Sequence, residues 1–209
     1  MIRLAREEGG LWIVTLDRPE KANALTEAML RELAEIAEAA HEEARALILT
    51  GSGTVFSAGA DLEAVRAGLA TSPLWERLSG AIAALPCLTV AALNGTVAGG
   101  ATGMVLACDL RLAALGAGAF YPVMRLGFRP QPSDPARLAA LVGPARTRMI
   151  LLAGAKVSTE EALAWGLFDR AVARETLLDE ARALCAASLM ASRDHAVALK
   201  AMCTPPRGG

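Results

Sequence analysis

One α/β domain is the fold class that the sequence predicts, and three observations carry it. Short β-rich apolar runs alternate with stretches of helical periodicity along the chain. Two of those runs pass directly into glycine-rich turns, at 51–61 and 94–100. No linker or low-complexity stretch divides the 209 residues ahead of the closing Pro-Pro-Arg-Gly-Gly, and one core can serve a chain of that length. Residues 1–203 are expected to form a single domain, with 204–209 as a disordered tail.

Taken in order, Leu11 to Leu16 reads as a strand that Asp17-Arg18-Pro19-Glu20 ends. Thr26 then caps a helix running to about His41, in which Met29, Leu30, Leu33, Ile36 and Ala37 make one buried face. Ala46 to Thr50 is almost wholly apolar, as expected of a strand covered on both sides. A helix around Pro73 to Ala84 leads to a second buried strand, Leu88 to Leu93, and the turn Asn94 to Gly100 opens a helix through about Ala107. Asp109 to Ala113 and Ala119 to Tyr121 have strand character. From Asp134 onward the chain is mainly helical, with breaks at Gly143-Pro144 and Gly154 and a turn plus short strand across Trp165 to Val172.

Composition narrows the function. Twenty-one basic residues stand against 22 acidic ones, a net charge of −1, which leaves no electrostatic footprint for nucleic acid or an anionic membrane. The apolar fraction of 54% is spread along the chain, and no run approaches the length of a membrane span. The start turns acidic before an apolar signal segment can form. Cys87, Cys108, Cys185 and Cys203 form no CxxC pair and read as free, mostly buried thiols of a cytoplasmic protein. His41 and His195 lie on separate helical segments without clustered ligands, so neither a metal nor any other cofactor is expected.

The two glycine turns are where chemistry is expected. A glycine turn that enters a helix leaves backbone N–H groups unpaired, and these can bind a phosphate or the negative oxygen of a reacting carbonyl. Neither turn ends in the Gly-Lys-Ser/Thr of a phosphate loop. Phe56 stands where a dinucleotide fingerprint needs its third glycine, and Val55 where a nucleophile elbow needs its first. What remains is a pair of amide donors from separate turns, a device suited to a thioester oxyanion.

Phe56-Ser57-Ala58-Gly59-Ala60-Asp61-Leu62 resembles the F-x-A-G-A-D-[IL] signature of the enoyl-CoA hydratase/isomerase (crotonase) family. Asn94 to Gly100 with Ala107-Cys108-Asp109, and Leu16 to Pro19 followed by Lys21 to Leu25, are similar to two further motifs of that family. The likeness runs from about Leu11 to Met202 and implies the crotonase (ClpP-like) fold, a spiral of repeated ββα units assembled as a homotrimer or a hexamer of trimers. It implies an acyl-CoA or acyl-carrier-protein thioester as partner, with its C=O between the amides of Ala60 and Gly100. It further implies that Lys21, Ala22, Ala58, Gly59, Asp61, Leu62 and Gly99 line the substrate track. Asp61 also reads as a cap for the helix that follows it.

The resemblance also marks what is missing. Family hydratases carry one glutamate three residues after the second oxyanion glycine and another in a P-E-x-x-[LI]-G segment. Those positions hold Gly103 and Val123 here, and a further acid used by some members falls on Gln131. Without two proton-carrying groups ordinary hydration is not expected. Decarboxylation or isomerisation, in which the oxyanion hole stabilises an enolate, fits better, with a non-catalytic thioester-binding or scaffold subunit as the alternative. The short segment Met124 to Pro130 is somewhat like that of decarboxylating family members. Asp134 and Tyr121 are the candidate replacement acid and base, against plainer readings as a helix cap ahead of Pro135 and as a core tyrosine. Arg125 is a candidate carboxylate ligand, against the default reading of an exposed surface arginine, and prolines at 130, 132 and 135 are expected to alter the pocket. Relative to the family pattern, the C-terminal helical part is expected to be shortened.

Overall fold

The computed structural model describes residues 1–203, so the tail expected over 204–209 lies outside the described residues. Six strands form the main sheet in the order β1 (Ile2–Arg6), β2 (Leu11–Leu16), β3 (Ala46–Gly51), β4 (Leu88–Leu93), β6 (Leu110–Ala114), β9 (Arg170–Val172). β1 runs antiparallel to β2, and the other neighbouring pairs are parallel. β1 is an element that the sequence reading left out. It is an edge strand: Ile2 and Leu4 touch the core while Arg3, Ala5 and Arg6 face solvent, so its apolar signal is thin.

The continuous apolar character of β3 has the expected cause. Leu47 and Leu49 pack with the helices α1 (Glu27–Glu43), α3 (Leu74–Ala83) and α4 (Ala101–Leu106) on one face of the sheet. Ala46 and Ile48 point the other way, toward Leu177, Ala181 and Cys185 of α8 (Leu177–Met190). Alternate residues therefore reach opposite cores, which is why Ala46 to Leu49 are all apolar, and the buried Thr50 that follows donates its hydroxyl to the Ala92 carbonyl. Thr26 caps α1 as expected, its side chain accepting from the Met29 amide.

Successive turns of chain repeat one plan. Each gives a strand to the main sheet, then a short extended piece to a second layer, then a helix. The second-layer pieces are Leu25, which bridges Ala60; Ser57, which bridges Val97; β5 (Val97–Ala98); and β7 (Ala119–Phe120), which pairs in parallel with β5. β8 (Lys156–Val157) closes this layer against β7. The helices that follow are α1, α2 (Leu62–Arg66), α4 and α5 (Val123–Leu126). This is the spiral of ββα units, and it places the ends of neighbouring second-layer pieces side by side.

α6 (Asp134–Leu151) bends at Gly143, whose φ of 79° leaves the helix just ahead of Pro144, where a break was expected. α7 (Thr159–Trp165) carries a capping box of Ser158 and Glu161 and stops at Gly166, and α9 (Arg193–Cys203) ends the described chain. Cys87, Cys108 and Cys185 are buried free thiols, whereas Cys203 is exposed.

Candidate active site

Ala60 and Gly100 occupy equivalent places in adjacent repeats, each between a second-layer piece and the first turn of a helix. Because the repeats stack, the two loops lie against each other. The Ala98 amide donates to the Ser57 carbonyl at 2.9 Å, and the Gly59 amide is held by Ser57 Oγ at 3.1 Å. Glycine is required for this approach. Gly59 has φ +92°, and a Cβ there would stand 2.8 Å from the Ala98 carbonyl oxygen. A Cβ on Gly95 would collide with the Thr54 carbonyl, and one on Gly100 would press on the Trp75 ring at 3.1 Å.

Ala60 and Gly100 both line one cavity of about 210 Å3. Neither of their amides has a hydrogen-bond acceptor among the described residues. Both residues are half-buried, and their two unpaired donors border the same space. Ala58, Leu62 and Gly99 also line it, as do Val65, Trp75, Phe120 and Val123. Gln131 and Arg129 are its polar members beside Tyr121. Arg129 was not singled out from the sequence; Arg125, which was, is exposed and does not border the cavity.

The segment Arg18 to Leu25 serves as a brace for the first glycine loop. Asn23 is fully buried; its amide nitrogen donates to the carbonyls of Ser52 and Val55, and its own carbonyl accepts from Ser57 Oγ at 2.8 Å. Ala22 and Asn23 both have positive φ, at 49° and 52°, a strained turn that aims the Ala22 carbonyl at the Ala58 amide. Arg18 Nη1 donates to the Ala24 carbonyl and, at 2.7 Å, to Asp61 Oδ2. Asp61 Oδ1 meanwhile accepts from the Glu63 and Ala64 amides, the capping role expected of it. The Arg18 hydrogen bond holds the Asp61 carboxyl below the usual range. Lys21 is exposed, and Lys21, Ala22, Gly59 and Asp61 stand outside the cavity wall. Arg18 and Asn23 were not picked out as positioning residues, because their partners lie up to 43 positions away in sequence.

At the inner end, Tyr121 borders the cavity and its hydroxyl donates to Asp134 Oδ2 at 2.8 Å. Asp134 is buried and does not itself line the cavity. The cap reading for Asp134 is corrected. It is the first residue of α6, Ser133 takes the cap position, and its side chain turns inward to Tyr121 rather than onto the helix amides. The carboxylate lies directly over Gly103, where a Cβ would come within 2.8 Å of Oδ1 and 3.0 Å of Oδ2. Burial raises the Asp134 pKa to about 6, with Glu76 adding to the rise and Tyr121 and Arg137 opposing it. Burial and the adjoining carboxylate push the Tyr121 phenol far above its ordinary range. Ser133 is tied to α3 by hydrogen bonds from its hydroxyl and amide to Glu76, which seats the start of α6. Val123, on α5, contributes only an apolar wall.

This combination, a ββα spiral whose adjacent repeats bring two glycine loops to one cavity, defines the crotonase fold. Among solved structures, an enoyl-CoA hydratase from Bacillus anthracis superposes with a TM-score of 0.91 at 29% identity, covering 100% of this chain and 84% of that one. The chain belongs to the enoyl-CoA hydratase/isomerase family, whose model matches residues 6–206. A probable enoyl-CoA hydratase of Rhodobacter capsulatus is 39% identical over 168 residues, 78% of this chain and 65% of that protein's length. The 1,2-epoxyphenylacetyl-CoA isomerase of Escherichia coli is 32% identical over 192 residues, 87% of this chain and 73% of the isomerase. The chain thus spans about two thirds to three quarters of these relatives' lengths. Among the described residues no helix is long and apolar enough to cross a membrane.

Proposed function

We propose that the chain binds an acyl-CoA or acyl-carrier thioester and stabilises its enolate between the amides of Ala60 and Gly100. The observation that carries this reading is the pair of acceptor-free amides bordering one largely apolar cavity. As negative charge grows on the thioester oxygen, two preset donors at a largely apolar cavity wall lower its energy more than mobile water could. Relatives named for CoA thioesters support CoA as the carrier. Ala58, Leu62 and Gly99 form the acyl and pantetheine walls, while Lys21 and Ala22 lie outward on the same brace, toward the carrier.

Gly103 and Val123 stand where the family's hydratases hold two glutamates, and neither can move a proton. The reading is therefore decarboxylation or isomerisation rather than water addition. Loss of CO2 leaves the enolate without needing a base, and the oxyanion hole alone can favour it. The apolar side chain of Val123 on the cavity wall favours, as a second reading, a subunit that binds thioesters without turnover. Residence in the cytoplasm and assembly as a trimer belong to the same proposal, the latter measurable by light scattering.

The test is a panel of crotonyl-CoA, a 3-enoyl-CoA and malonyl-CoA, with binding measured alongside turnover. Turnover of the second or third, abolished by Gly100→Pro, is the expected result. Rapid hydration of crotonyl-CoA would overturn the assignment of Gly103 and Val123. Binding of all three without turnover would favour the second reading, and no binding would refute the thioester site.

A further inference from the structure

The carboxylate absent from position 103 has a spatial substitute. Asp134 enters from the start of α6 and fills the volume that a side chain on Gly103 would need. One of its oxygens accepts from the Tyr121 hydroxyl at 2.8 Å, and Tyr121 borders the cavity. The other oxygen, Oδ1, is buried without a hydrogen-bond partner among the described residues. A buried carboxylate with half its acceptors unmet is costly to keep charged, and so is poised to take a proton.

We propose, resting on the thioester reading above, that Tyr121 is the residue that exchanges a proton with the α-carbon of the bound acyl group and that Asp134 acts behind it as a positioning and proton-storing residue. In the protonating direction the enolate carbon takes the Tyr121 hydroxyl proton as the Asp134 O–H passes its own to the Tyr121 oxygen. A C–H bond forms, the enolate electron pair is consumed, and Asp134 is left as a carboxylate that regains its proton from water. In the abstracting direction the carboxylate draws the Tyr121 proton while the Tyr121 oxygen takes the proton from carbon, so tyrosinate need not accumulate. The raised phenol pKa suits this role, since Tyr121 stays neutral and holds a proton to give.

The charged groups that face Asp134 are Arg137, on its own helix, and Glu76, from α3, with the Tyr121 hydroxyl donating to the carboxylate. Only the Asp134 carboxylate can begin abstraction. The abstraction rate should therefore rise with pH to a plateau above the Asp134 pKa of about 6.

The experiment follows deuterium entering C2 of butyryl-CoA in D2O by mass spectrometry, with binding measured by calorimetry. The wild-type chain is expected to bind and to exchange, with the rate levelling off above about pH 6. Tyr121→Phe and Asp134→Asn preserve shape, and a melting curve confirms folding. Each is expected to bind normally yet lose about 10²-fold or more in exchange rate, with the pH limb gone in Asp134→Asn. Gly103→Ala, whose methyl would displace the carboxylate, should slow exchange without changing affinity. Wild-type binding without exchange, or a Tyr121→Phe variant that exchanges at the wild-type rate, overturns the relay alone. A pH limb that persists in Asp134→Asn also overturns it. Absence of butyryl-CoA binding to the wild-type chain overturns the thioester reading and the relay with it.

Discussion

Gly59 and Gly99 meet backbone to backbone: a Cβ on Gly59 would lie 3.4 Å from the Gly99 Cα. This contact sets how closely the two loops, and hence the Ala60 and Gly100 amides, approach one another. Gly59→Ala must relieve both a positive φ and the clash with the Ala98 carbonyl, at a cost of roughly 1–3 kcal/mol. Thermal unfolding should show a lower Tm, and acyl-CoA affinity should fall at temperatures where the variant is fully folded. An unchanged Tm would contradict the close contact.

Asn23 holds the first glycine loop from beneath through two donated hydrogen bonds made in a fully buried position. Asn23→Ala leaves the Ser52 and Val55 carbonyls with only the longer bonds from Asn94 Nδ2, strips the Arg18 amide of its Oδ1 acceptor and keeps the positive-φ strain. The expected loss is about 2–4 kcal/mol in urea unfolding. Asn23→Asp retains the shape but replaces the donor with an acceptor facing carbonyls, so it should be no better tolerated than alanine.

The Arg18–Asp61 pair supplies a pH-dependent element. Because Arg18 lowers the Asp61 pKa in the folded chain, its contribution is present at neutral pH and is lost as pH falls through that lowered value. Arg18→Met should be less stable than wild type at pH 7, and the gap should close in acid. A gap of constant size from pH 7 down to 2 would show that the guanidinium acts through packing alone.

Asp134 works in the opposite sense. Its folded pKa of about 6 lies above the ordinary 3.8, so ionisation at neutral pH destabilises the fold and protonation removes that penalty as pH falls from about 6 toward 4. Asp134→Asn keeps an acceptor for Tyr121 and removes the charge. It should gain up to ~3 kcal/mol at pH 8, with the advantage fading below pH 4. Equal stability of the two chains across that range would refute the buried-charge assignment.

Much of the fold was legible because its signals are local. The apolar runs of β2, β3 and β4, the Thr26 cap, the Gly143-Pro144 break and the two glycine turns each depend on neighbours within a few residues. β1 escaped notice because an edge strand with one solvent face carries few apolar residues. The glycine turns mark a pair of loop amides by local backbone geometry, and the likeness of those loops to family motifs is what points to Ala60 and Gly100 in particular.

Residues whose meaning depends on distant partners were not legible in that way. Arg18 and Asn23 look like ordinary turn residues until the spiral brings the Asp61 and Val55 segments beside them. Asp134 ahead of Pro135 reads as a cap by every local rule, yet packing turns it toward Tyr121.

Local patterns, with their likeness to family motifs, suffice to read a crotonase-family α/β domain, two glycine loops that present amides, and positions 103 and 123 without an acid. It takes the packed fold to bring both amides to the wall of one cavity and a carboxylate from α6 into the space over Gly103. The difference is physical: backbone conformation follows from short-range sterics, whereas the placement of a charged side chain is settled by which elements stack and what volume they leave unfilled.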